Sequence, residues 1–185
     1  MFEDYIEPKE QIHYSLPVPK DNALVEMLKS EEDFQKVLKK FELDLDNISL
    51  NVFKEISGYA MNIPVLGNDT NSQKYIAIYF TSTNLVKSIK IMTLFAKDKD
   101  FSLTFANVEE SIQVTGMFQD GEYLETTISN TNEVQATGFT DCLERGFNNL
   151  PYALRAVCFA SCAAVGTGVG AAACAGCLVG LGIHC

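Results

Sequence analysis

Cysteine is the residue type in this 185-residue chain best equipped for chemistry, and its distribution is one-sided. All six cysteines, Cys142, Cys158, Cys162, Cys174, Cys177 and Cys185, fall in the last 44 residues, in the pattern C-x15-C-x3-C-x11-C-x2-C-x7-C. Between Arg155 and His184 run 28 residues of mostly Ala, Gly, Cys, Val and Leu without a single charge. Six cysteines in so short a stretch exceed the share of roughly 8–10% that marks a disulfide scaffold. An even count in one segment, with none elsewhere, points to two parts that face different redox conditions or to staples needed only in the tail.

Three chemistries fit the spacing. The first is disulfides. In one straight helix Cys158 and Cys174 would stand about 24 Å apart, beyond bonding reach. A turn in the stretch holding Gly166, Gly168 and Gly170 removes that obstacle. Cys162 and Cys174 lie six residues either side of Gly168, and Cys158 and Cys177 are nearly symmetric about it. Cys158 and Cys162 share a helix face at i, i+4, as do Cys174 and Cys177 at i, i+3. A helical hairpin then sets two rungs, with Cys142 and Cys185 closing the outside. It is one of 15 connectivities, and sequence alone does not select it. Thioether crosslinks are a variant that mass separates from disulfides. The second chemistry is a thiolate metal site, which CxxxC and CxxC would suit, though Ala and Gly supply no polar second shell. The third is a membrane segment. Twenty apolar residues span a bilayer, and Gly166-x-x-x-Gly170 and Gly176-x-x-x-Gly180 are spacings that let helices pack closely in lipid.

The rest of the chain must carry this segment, and its composition differs. Residues 1–138 hold 12 lysines against 22 carboxylates and so the whole net charge of −10, whereas residues 139–185 are neutral. An acidic body without a basic stripe argues against nucleic acid as a partner and against electrostatic docking on an anionic membrane. The N-terminus MFEDYIEPKE has neither the basic start nor the apolar core of a signal peptide, and no twin-arginine pair, so export of the tail calls for another route or a cleavage.

The expected fold class is α+β. Met1 to Lys20, with Pro8, Pro17 and Pro19, reads as an extended arm. Asn22 or Asp21 caps a first helix containing Leu24, Val25 and Leu28. A second starts at Ser30-Glu31-Glu32-Asp33 and presents Phe34, Val37, Leu38 and Phe41. From Leu50 the apolar period becomes two. Runs through Val52–Val65, Tyr75–Phe80, Ser88–Ala96, Phe101–Phe105, Ile112–Phe118 and Tyr123–Ile128 predict five or six antiparallel strands, with a hairpin at Asp120-Gly121. Polar residues 129–141 read as a linker and the best cleavage region. The expected organisation is an N-terminal helix plus a β-meander over residues 1–138, followed by a small all-α hairpin tail over 142–185.

The sequence argues against an enzyme. His13, in the arm, reads as a solvated side chain. Glu31-Glu32 and Glu109-Glu110 read as solvated faces or helix starts, and Gly166-x-Gly168-x-Gly170 lacks the strand and spacing of a dinucleotide loop. No catalytic, metal or cofactor-binding residue is expected, and no cofactor.

The tail CLERGFNNLPYALRAVCFASCAAVGTGVGAAACAGCLVGLGIHC resembles the cysteine-rich peptides of the halocin C8-like bacteriocin precursors. CxxxC, CxxC and the Ala/Gly-rich interval between them carry the likeness, which covers Cys142–Cys185. It implies that the C-terminal part is a disulfide-rich antimicrobial released from a precursor, and that the N-terminal part is leader or immunity protein. The implied partners are a target-cell membrane or membrane receptor, a processing protease and an exporter, and the implied location of the mature tail is outside the cell. The competing expectations are a tail-anchored membrane protein whose soluble domain binds a partner and, third, a thiol/metal protein.

Overall fold

A computed structural model describes residues 13–54, 56–67, 71–97, 100–119, 122–130, 141–142, 145–146, 158, 162 and 171–183. Eight strands form one antiparallel sheet in strict chain order: β1 (His13–Val18), β2 (Ile48–Phe53), β3 (Tyr59–Pro64), β4 (Ser72–Phe80), β5 (Val86–Lys97), β6 (Asp100–Ala106), β7 (Ile112–Gln119) and β8 (Glu122–Asn130). Helices α1 (Ala23–Leu28) and α2 (Glu32–Lys40) join β1 to β2, and α3 (Ala171–Leu178) runs into a 3-10 turn at Val179–Gly182.

This overturns the expected fold class. The chain is not an N-terminal helix and meander followed by a separate all-α hairpin. One sheet organises it, and the described part of the tail lies on that sheet as part of its core. The first strand was hidden in what the sequence presents as a proline-bearing arm. Proline removes a ladder donor but is tolerated on an edge strand. Pro17 sits in β1, an edge of the sheet, opposite Ser49. At the other edge β8 continues to Asn130, into residues expected to be linker. Residues 131–140 and the hairpin dipeptide Asp120-Gly121 lie outside the described residues, although Gln119 does pair with Glu122.

Local chemistry explains the two N-terminal helices. Asn22 caps α1 by accepting a hydrogen bond from the Leu24 N–H at 2.9 Å. Helix α2 has Glu32 and Asp33 in its first turn and Lys39 and Lys40 in its last, each where the helix dipole favours that charge. It buries Phe34 and Val37; Leu38, expected on the same stripe, is exposed instead. Lys36 reaches Glu109 at 3.1 Å and Lys40 reaches Glu110 at 3.0 Å, clipping α2 to the β6–β7 turn. That contact holds the Lys36 ammonium above its ordinary pKa and the Glu109 carboxyl below its own. The pairs are solvent-exposed and orient the helix more than they stabilise it.

Because successive strand residues alternate faces, the sheet has two cores. Val25, Leu28, Phe34 and Val37 of the helices pack over Met61, Ile63, Ile76, Ile78, Phe80 and Ile91. The opposite face presents Phe53, Tyr79, Met92, Leu94, Leu103 and Phe105, and the C-terminal tail covers it. Strand β4 serves both, so Tyr75 to Phe80 are buried without interruption.

Candidate functional site: the stapled tail on the sheet

Two disulfides join the tail to itself. Cys158 bonds Cys177 with a Cα–Cα distance of 5.4 Å, and Cys162 bonds Cys174 at 4.7 Å. These are the two rungs of the nested pairing, and they exclude a single straight helix from Arg155 to the end. All four cysteines are buried in the same cluster as the sheet residues. Cys142 is half-buried and also disulfide-bonded. Cys185 and the turn glycines Gly166, Gly168 and Gly170 lie outside the described residues.

The tail buries Leu178, Val179, Leu181 and Ile183 in the cluster it shares with the sheet, and it also brings its backbone close to the sheet at three glycines. A Cβ added to Gly176 would come within 2.7 Å of the Asn51 Oδ1, and one on Gly180 within 2.7 Å of the Phe53 ring. At Gly182 it would lie 2.7 Å from Tyr79 Cζ. Real Cβ atoms do not approach so closely, so glycine is required at each position by contact. The small-residue spacing Gly176-x-x-x-Gly180 therefore serves a helix lying on a sheet. From the other side, Gly58 with φ +88 brings the chain past Phe80 and next to Ile183.

Polar groups fix the register. The buried Tyr79 hydroxyl donates to the Val179 carbonyl at 2.9 Å, across 100 residues of chain. Burial drives its pKa far above the ordinary tyrosine value. Lys87 Nζ donates to the Ile183 carbonyl at 2.7 Å, a charged donor on a carbonyl at the tail's last described turn. Asn51, on β2 beneath Gly176, is fully buried; its Nδ2 donates to Ser49 Oγ at 3.3 Å and its Oδ1 pairs with His13 Nε2 at 3.0 Å. His13 also stacks on Phe53, with ring centroids 4.9 Å apart. The imidazole is thus not the solvated side chain expected from its place in the arm. Desolvation lowers its pKa, and the hydrogen bond to Asn51 only partly opposes that.

One part of the contact is imperfect. Asn62 on β3 is buried on the tail side, yet neither its Nδ2 nor its Oδ1 has a hydrogen-bond partner among the described residues. It borders a cavity of about 610 Å³, reached between β1 and the first turn of α3 at Ala172 and Ala173. Tyr75 lines the same cavity, and burial pushes its hydroxyl up to about 12.

His13, Asn51, Asn62 and Tyr79 are the site residues that sequence reasoning missed. Asn51 and Asn62 carried no signal, because each falls on the alternate phase to the apolar Leu50/Val52 and Met61/Ile63 and so reads as facing solvent. Among the described residues no group of three or more His, Cys, Asp or Glu could hold a metal ion, and no helix is long and apolar enough to cross a membrane. Comparison with family models, with curated proteins and with solved structures found no match to this chain.

Proposed function

We propose that the chain is the precursor of a disulfide-stapled antimicrobial peptide, bacteriocin-like, whose active part is residues 142–185 and whose target is the membrane of another cell. Residues 1–138 are its carrier, and act as leader or immunity portion. The observation that carries this reading is the docking of a nearly charge-free, cysteine-stapled tail on an apolar face of its own acidic sheet. A peptide of this composition, set free, has the apolar surface to enter lipid and very little charge to keep it in water. Held on the sheet, the same surface is covered, so the maker is not exposed to it. The neutral tail and the −10 body divide the two tasks along the chain.

In this reading a protease cuts beyond strand β8, in residues 131–141, and an exporter takes the tail out of the cell. Processing uncovers Phe53, Tyr79, Leu103 and Phe105 on the carrier, a surface shaped for this one peptide and hence a means of immunity by recapture. The experiment is non-reducing mass spectrometry of what leaves the producing cell. The expected species is a C-terminal fragment lighter than its reduced sequence by two hydrogens per bridge, which permeabilises lipid vesicles. Absence of any released fragment, or a released one with free thiols throughout, rejects the reading.

A further inference from the structure

We propose that the sheet is also a folding template: its tail-facing side selects which cysteines pair, independently of whether the tail is later released. Chain statistics favour a different outcome. Loop closure becomes less probable as roughly the three-halves power of loop length. The observed bonds close separations of 19 and 12 residues. The neighbouring pairs Cys158–Cys162 and Cys174–Cys177 would close separations of only four and three. On this scaling the local pairs win by roughly two powers of ten, a margin that the stiffness of such short loops reduces. The crossed alternative, Cys158–Cys174 with Cys162–Cys177, closes 16 and 15 and differs from the observed pairing by a factor close to one. Loop length therefore accounts for neither preference.

Nor does helix propensity in the tail suffice. Helix α3 has eight residues, and isolated helices shorter than about 12–15 residues are marginal in water. What fixes α3 is its bed. Gly176, between Cys174 and Cys177, is seated on the Asn51 amide, Gly180 on the Phe53 ring, and Val179 is held by the Tyr79 hydroxyl. With those three points made, Cys174 and Cys177 are placed together in the buried layer that also receives Cys158 and Cys162.

The chemistry requires an external oxidant, a low-molecular-weight disulfide. For each rung, one cysteine thiolate attacks a sulfur of the oxidant, forming a mixed disulfide and expelling one thiol. The partner thiolate attacks the mixed disulfide, closing the protein bond and expelling the second thiol. Two protein thiols are oxidised and one small disulfide is reduced to two thiols. The sheet supplies no electrons; it decides which partner thiolate is within reach at the second step.

The test uses the full-length chain, reduced, unfolded and refolded in a buffer of small-molecule thiol and disulfide, then acid-quenched and mapped by peptide mass spectrometry. Wild-type protein is expected to give Cys158–Cys177 and Cys162–Cys174 as its main pairs. G180A, which drives a methyl group into the Phe53 ring, should cut that yield about tenfold and raise the local pairs. The double variant F53A/G180A, which removes the ring, should recover most of the wild-type pattern. Recovery also separates a broken docking contact from a general failure to fold. If G180A keeps the wild-type proportions, the tail pairs its own cysteines and the template role is wrong. If the double variant is as scrambled as G180A, the Phe53 contact does not set the register, and the proposal fails there too.

Discussion

The two faces of the sheet are covered in opposite ways. On one, α1 and α2 come from the connection between adjacent strands β1 and β2, and they bury branched and aromatic side chains against an Ile-rich surface. On the other, the cover arrives from the far end of the chain; besides burying Leu178, Val179, Leu181 and Ile183 it sets Gly176, Gly180 and Gly182 against an amide and two rings. Large side chains interlock and tolerate small shifts. Backbone laid on a ring tolerates no added atom, and a short helix held that way depends on staples to keep its shape. The helix face is built to persist; the tail face combines close fit with an Asn62 amide that has no partner among the described residues, which makes its closure less favourable than its apolar area alone would give.

That contrast can be broken from either side. The largest effect is expected from Phe34→Ala, which empties a fully buried site on the helix face and should lower global stability by about 4 kcal/mol. Gly182→Val, aimed at the Tyr79 ring, should cost about 3 kcal/mol. The two should differ in kind. Hydrogen exchange is expected to rise throughout the sheet for Phe34→Ala, but chiefly in α3 and the tail-facing contact for Gly182→Val. Equal exchange patterns would show the two covers to be one cooperative unit.

Tyr79→Phe keeps the ring under Gly182 and removes the hydroxyl that donates to the buried Val179 carbonyl, for an expected loss of about 1.5 kcal/mol by denaturant unfolding. Asn62→Leu tests the weak point in the opposite direction. Replacing an unpartnered buried amide by an apolar group of similar size should raise stability by about 1 kcal/mol. A destabilised Asn62→Leu chain would mean that this amide has a polar role in the folded protein.

The smallest effect is pH dependence at His13. Its folded pKa lies below the ordinary 6.5, so between the two values the unfolded chain binds more protons. The contribution is therefore complete above about pH 6.5 and is lost as pH falls through the folded pKa. His13→Phe retains an aromatic ring next to Phe53 and removes the titration. The difference in unfolding free energy between wild type and variant should move against the wild type between pH 7.5 and 5. A flat difference would place the imidazole in solvent.

Much of the local structure was written plainly. A cap at Asn22 or Asp21, which the structure assigns to Asn22, the acidic start and basic end of α2, and the period-two runs of β3 to β7 all follow from side-chain type at short range. So did the symmetry of Cys158, Cys162, Cys174 and Cys177 that makes nested rungs possible. Strand β1 was not legible, because Pro17 and Pro19 mimic an arm unless the strand is known to be an edge. His13 was misjudged for the same reason.

The amino-acid sequence by itself determined that an acidic, cysteine-free body precedes a neutral tail with six thiols, since charge and residue type need no partner to be counted. Only the tertiary structure decided that the tail belongs to the sheet. Alternation states that a strand has two apolar faces but not what covers each. A glycine chosen for contact with Phe53 or Tyr79 looks, along the chain, the same as a glycine chosen for a turn.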